Sequence, residues 1–220
     1  YTLRANIEAN ATDWLKIGTN TALTYSQSEE TEYGDYSLLA PISASKFMMP
    51  YWNPYNEDGS LTSTNDGTWI GSYGNPMEYL DANPLNRKKL HILSSTFFEL
   101  NPIKDLKLRT MIGIDASDTR SNTLSLPSYP SNYGSGSVGK GYTQLFNLTW
   151  TNTANYSFSV DNTHNLNILL GHEVTKNGSD AFSVGTRGQS TGKLLSLSTG
   201  TTATGWSDNY SALTYVSLFA

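Results

Sequence analysis

The sequence predicts an all-β fold, an antiparallel meander of long hairpins. Two observations predict it: seven runs of apolar–polar alternation, and connections whose lengths alternate between short and long. Composition agrees. Hydrophobic residues make up 37% of the 220 residues, charged residues 15% and aromatics 12%. That mix is too aromatic for a disordered tail and too poor in Leu, Ala, Glu and Lys for a helical bundle. Thr, Tyr, Phe and Trp suit a pleated surface.

The runs follow in order. In Tyr1–Asn10, the side chains Tyr1, Leu3, Ala5, Ile7 and Ala9 share one face, and Thr2, Arg4, Asn6, Glu8 and Asn10 the other. Leu15–Tyr25 sets Leu15, Ile17, Leu23 and Tyr25 against Lys16, Asn20 and Thr24. Leu90–Leu100 is less regular, with Ser94 and Thr96 on the face of Leu90, Ile92, Phe98 and Leu100. Leu106–Ala116 places Leu106, Leu108, Ile112 and Ile114 opposite Lys107, Arg109, Gly113 and Asp115. A fifth run carries Phe146, Leu148, Trp150, Ala154, Tyr156 and Phe158 between Asn147, Thr149, Thr151, Thr153, Asn155 and Ser157. Asn165–Val174 aligns Leu166, Ile168, Leu170 and Val174, and Leu213–Ala220 opens a seventh run.

These runs reach about ten residues or more, the length of a tilted membrane-spanning strand, where soluble strands cluster near five or six. The short connections are Asn10–Asp13, Asn101–Asp105 and Ser159–His164, rich in turn-forming residues. The long ones are Ser26–Lys89, Ser117–Thr143 and Thr175–Ala212. Short and long connections therefore fall on opposite rims, as do periplasmic turns and extracellular loops of an outer-membrane barrel. Trp14, Phe98, Tyr156 and Phe158 sit by the short turns, where they suit an interfacial aromatic girdle and equally the core of a soluble sheet. The fold class expected is thus part of a transmembrane β-barrel, with polar faces to the lumen and apolar faces to lipid. Pro41–Met49, Met77–Leu80 and Thr191–Leu197 are short helical candidates within the long loops.

Chemistry is sparse. A net charge of −5 without a basic run gives no footprint for nucleic acid, and the lack of cysteine removes disulfides and thiolate chemistry. Gly134-Ser135-Gly136-Ser137-Val138-Gly139 has dinucleotide-binding spacing, but in a polar loop with no helix to follow it reads as a flexible loop. Asn56-Glu57-Asp58-Gly59 reads as a turn with Gly at its left-handed position, since a calcium loop needs further ligands and a closing Glu. His91, His164 and His172 share no metal-ligand spacing, and no nucleophile elbow or carboxylate pair can be placed. No catalytic residue, metal or cofactor is expected. Asn-x-Ser/Thr sequons such as those at Asn147 and Asn155 are coincidences of an Asn/Thr-rich chain. Tyr51, Trp52, Tyr55, Trp69, Tyr73 and Tyr79 crowd the first long loop, where aromatic faces stack on sugar rings or pack the loop itself.

Three stretches carry a family resemblance. They are Phe47-Met48-Met49-Pro50 with Pro54-Tyr55-Asn56-Glu57-Asp58-Gly59-Ser60; Asn101-Pro102-Ile103-Lys104-Asp105-Leu106-Lys107-Leu108; and Thr163 to Glu173, Thr-His-Asn-Leu-Asn-Ile-Leu-Leu-Gly-His-Glu. In their order and spacing the chain resembles the SusC/RagA-type TonB-dependent outer-membrane transporters along its whole length. The resemblance implies a barrel of about 22 strands, energised through TonB, importing oligosaccharides or peptides with a SusD-like surface lipoprotein as a lid. It implies residence in the outer membrane of a Gram-negative bacterium, contact with outer-membrane lipid, and no enzymatic chemistry. Residues 1–220 would then be one partial barrel domain, with the plug, the TonB-contacting segment and the remaining strands absent from this stretch. The rival expectation is a soluble all-β carbohydrate-binding module, whose apolar faces would meet in a dry core.

Overall fold

The computed structural model describes residues 1–31, 43, 46, 48–63, 75–129, 132–160 and 164–220. Seven strands form one sheet: β1 (Thr2–Asn10), β2 (Leu15–Thr31), β3 (Pro84–Ile103), β4 (Leu106–Ser125), β5 (Gly136–Val160), β6 (His164–Gln189) and β7 (Thr202–Phe219). Their spatial order is their chain order, and each pairs antiparallel with the next. The sheet is open, with β1 and β7 as its edges. This is the predicted meander of long hairpins.

All seven alternating runs are strands, but the alternation marks only part of each. β2 runs on past Tyr25 to Thr31, and β5 begins ten residues before Phe146. The expected loops Ser117–Thr143 and Thr175–Ala212 are therefore largely strand, and residues 126–135 and 190–201 are what connects β4 to β5 and β6 to β7. The reason is solvent. Alternation needs one greasy and one polar side, whereas the hydrogen-bonded ladder needs only a partner strand. Beyond the apolar band charged and polar residues interrupt the outward face and the ladder continues.

The same correction applies to the glycine run. Gly134 has φ +77°, in the left-handed region glycine tolerates, but Gly136 already opens β5, so the segment is a turn entering a strand and not a flexible loop. The helix α1 (Pro76–Ala82) covers the candidate Met77–Leu80. Pro at its first position and Asn75 as its N-cap explain where it starts. Thr191–Leu197 is not helical; a single 3-10 turn covers Leu197–Thr199. Most of the candidate Pro41–Met49 lies outside the described residues.

Turn chemistry sets the short rim. Ile103 pairs with Leu106, leaving Lys104-Asp105 as the turn, and Asp105 takes φ +67°. Asp is among the few residues that visit this region at low cost. Backbone amides of Ala11 and Thr12 donate to the Leu15 carbonyl at the first turn, at 2.9 and 3.2 Å.

Candidate functional site

Register decides which side chains share a face. Leu23 lies opposite Ile92, Ile92 opposite Ala116, Ala116 opposite Phe146, and Phe146 opposite Gly178. Two rows lower on the same face, Thr96, Ile112, Trp150 and Val174 are in line. The apolar sets of every run thus fall on a single face, as the alternation predicts. On the interior strands these side chains stay open: Ile112 is 44% exposed, Trp150 43% and Leu170 57%. Among the described residues no strand or helix packs across this face, and the buried hydrophobic residues are only Tyr79, Ala82, Tyr129 and Val138. The soluble sandwich requires the apolar faces to meet one another, and here they do not.

Between Leu15 and Tyr25, Leu90 and Leu100, and Leu106 and Ala116, this face carries no charged residue. Eleven residues of strand tilted near 45° rise about 25 Å, the height of the lipid-facing band of an outer-membrane barrel. Hydroxyls of β2 and β3 within the band are paired across the strands. Thr19 meets Thr96 at 3.1 Å and Thr21 meets Ser94 at 2.8 Å. A partnered hydroxyl tolerates an apolar surrounding that a lone one does not. This explains how Ser94 and Thr96 share a face with Leu90 and Phe98.

The opposite face holds every ion pair found among the described residues. Lys16 meets Glu8; Arg87 meets Glu30 at 3.1 Å; Glu99 meets Lys107 at 3.1 Å and Arg109 at 3.9 Å; and His91 Nε2 lies 2.7 Å from Asp115 Oδ1. Such half-exposed pairs add little stability. Their value here is positional, because all nine residues point to one side. Phe97 is the exception that the polar pattern hides. Its ring lies over Gly18, where any Cβ would collide with it, and the Arg109 guanidinium stands 4.2 Å above its centroid. A shallow hollow of about 280 Å³ on this sheet is lined by Asn20, Ser95, Gly113, Asp115, Asn147 and Thr149, among others. Phe97, Glu99 and His91 follow from the reverse parity of Leu90–Leu100, as Asp115 does from that of Leu106–Ala116.

The loop aromatics separate. Tyr51 is 71% exposed and Tyr55 43%, Trp52 is partly exposed, and Tyr51 and Trp52 meet edge to face at 6.2 Å. Tyr79 is buried on α1 against Tyr129, edge to face at 5.7 Å, and belongs to the loop's own small core with Ala82 and Leu126. It has no open face to offer a ligand. Trp69 and Tyr73 lie outside the described residues.

Asn75 ties these pieces together. Fully buried, it donates through Nδ2 to the carbonyls of Pro54 (2.9 Å) and Thr62 (2.8 Å), while Oδ1 accepts from the Met77 amide (3.0 Å). The segment so held is a small hairpin in which Tyr55 bridges Leu61 and Gly59 has φ +82°. Asn56-Glu57-Asp58-Gly59 is therefore the left-handed glycine turn expected. Asp58 accepts from the Ser60 hydroxyl and amide, at 2.6 and 2.9 Å, and these bonds hold its carboxyl below the ordinary value. A depressed carboxyl steadies the turn above its unfolded pKa of about 4 and stops doing so as pH falls through the folded value. The protection of the Ser60 amide, taken relative to its intrinsic exchange rate, should fall on acidification below about pH 4, and Asp58→Asn should abolish that acid limb. An unchanged pH profile in the variant would count against the bond.

No family model matches the chain, and no curated protein matches it. Solved structures do. Over 99% of its length the chain is similar to a quarter (25%) of a chain in "Structure of the RagAB peptide transporter", with a TM-score of 0.85 and 25% identity. It is similar over the same shares to chains of the RagAB peptide importer in its "closed-closed" and "open-open" states, each with a TM-score of 0.84 and 24% identity. These neighbours are transporters and not enzymes. The chain thus has the fold of about a quarter of a transporter chain from the RagAB peptide importer.

Proposed function

We propose that this chain is a wall segment of a SusC/RagA-type TonB-dependent importer in the outer membrane of a Gram-negative bacterium, with residues 1–220 forming one partial barrel domain. The observation that carries this is the sorting of faces: a single-layer sheet with every ion pair among the described residues on one side and, on the other, an uncovered apolar band about 25 Å high that is uncharged across β2, β3 and β4 and carries Lys176 on β6. A soluble protein would have to cover that band, while hydrocarbon covers it without cost. The polar face, with Arg4, Glu8, Lys107, Arg109 and Asp115, lines the lumen, and the long hairpins stand outside the cell. A SusD-like lipoprotein closes the barrel from that side, and TonB engages the protein through parts beyond these strands. No covalent step is assigned, in keeping with structural neighbours that are transporters.

The structural neighbours are peptide importers, and peptide is the first substrate reading. Oligosaccharide is the second, favoured by the open aromatic surface of Tyr51, Trp52 and Tyr55 at the loop. The test is uptake of labelled oligopeptides and labelled oligosaccharides by cells with and without the intact gene. Loss of one class on deletion names the substrate, and loss of neither rejects the import reading. For the class that is lost, Trp52→Ala should lower apparent affinity about three- to tenfold, the worth of one aromatic stack. Unchanged uptake would remove the loop from the binding surface.

A further inference from the structure

On the lumen side the wall dips, between β2 and β5, into the hollow of about 280 Å³. Its bottom is backbone, because Gly113 on β4 brings no side chain. A Cβ there would meet only Thr149, at 3.8 and 4.0 Å, so packing does not require this glycine and the space above it is open. Around it stand Asn20 on β2, Ser95 on β3, and Asn147 and Thr149 on β5. None of these four side chains forms a hydrogen bond among the described residues. Leu93 makes one wall, an apolar side chain 50% exposed on the polar face. Asp115 is the one charged residue of the lining. Its Oδ1 accepts from His91 Nε2 at 2.7 Å, and its Oδ2 has no partner among the described residues.

One carboxylate oxygen, two carboxamide oxygens and two hydroxyls can all accept, and Leu93 offers grease beside them. An ammonium has three donors, no acceptor and a flexible aliphatic stem, so its head suits the acceptors and its stem suits Leu93. A guanidinium fits less well, since its fork takes both oxygens of a carboxylate and His91 already holds one. A sugar ring would want an open aromatic face, and Phe97, one row toward the short turns, is covered by Arg109 at 4.2 Å. The wall's own cations stand off. Arg109 lies 3.9 Å from Glu99, and neither Arg4, three strands away along the row of Asp115, nor Lys89, two rows beyond it, comes within ion-pair distance of Asp115. Glu173, on the same face of β6, adds negative charge. We infer that this hollow receives the ammonium of a lysine side chain carried by a peptide in the lumen, with Asp115 as the charge that holds it. This rests on the peptide-import reading above.

The test gives cells carrying the intact gene two labelled peptides that differ at one residue, lysine or norleucine. Norleucine keeps the stem and lacks the ammonium. The wild type should import the lysine peptide with the lower KM. Asp115→Asn keeps an acceptor for His91 but removes the charge, and it should raise that KM roughly three- to tenfold while leaving the norleucine peptide unchanged. Gly113→Leu fills the hollow from its bottom and should act in the same direction on the lysine peptide. Heat-modifiable migration of each variant from outer membranes checks that it is a folded barrel. Should Gly113→Leu fail that check, Asp115→Asn decides by the same criterion. An unchanged KM for the lysine peptide in the folded variants overturns the site. Equal rises for both peptides place the ammonium on a resident segment of the protein and overturn the imported peptide as its source. A wild type that imports neither peptide is a different result: it rejects the peptide-import reading, and the inference falls with it.

Discussion

Replacing Ile112 by Arg should destabilise the membrane-embedded barrel by about 2–4 kcal/mol, the cost of a cation at mid-bilayer depth on the lipid face of an outer-membrane barrel. Ile112 sits in the middle of the apolar band, with Thr96 and Trp150 as its cross-strand partners, and it is 44% exposed with no element packed over it among the described residues. Thr149→Arg is the control at the same depth. Thr149 lies one position along β5 from Trp150, so it points to the opposite face, and its partner across the strand is Gly113, which leaves room for a long side chain. There a guanidinium meets water, and the change should cost less than about 1 kcal/mol, as surface substitutions do. Urea unfolding of the intact protein in lipid vesicles, followed by heat-modifiable gel migration, measures both. Equal losses from the two substitutions would mean that the two faces are not differently solvated.

The second large effect lies in the loop. Asn75→Ala should loosen the segment joining residues 53–62 to α1 by about 2–4 kcal/mol, from one lost helix cap and the buried Thr62 carbonyl losing its Asn75 donor, while the Pro54 carbonyl keeps the Thr62 amide. That corresponds to an open population larger by roughly thirtyfold to a thousandfold, since each 1.4 kcal/mol is a factor of ten. Asn75→Asp separates the parts. It keeps an acceptor for the Met77 amide but loses both bonds from Nδ2, so it should recover only the cap's share. Because the loop lies outside the β1–β7 ladder, the barrel's own unfolding should not move. Limited proteolysis of the folded protein, read at sites within 53–62, gives the result. Unchanged cleavage would show that the aromatic loop is held by something other than this side chain.

Both predictions turn on how side chains are sorted, and that sorting was legible in different degrees. For the strands it was direct: Leu15–Tyr25 and Leu106–Ala116 announce their two faces by parity alone, and the structure keeps them. Where lipid ends, the pattern ends with it, so β5 could not be traced upstream of Phe146 although it begins at Gly136. For the loop, a cluster of aromatics says that rings are near one another in sequence. It does not say which are open. Tyr79 faces inward because α1 turns it toward Tyr129, a residue 50 positions away, whereas Tyr51, beside its neighbour Trp52, and Tyr55, on the small hairpin, stay exposed.

The sequence by itself determined the fold class, the order of the hairpins, the two rims and the chemistry of each face, because a period of two is a local property that needs no partner to be read. Only the tertiary structure decided the register. Register brought Phe97 over Gly18 and under Arg109, set Lys88 against Arg120, and left the apolar band uncovered. These are meetings between residues far apart in the chain, and neighbouring strands select them by matching hydrogen-bond ladders and closing turns, which no single run of residues encodes.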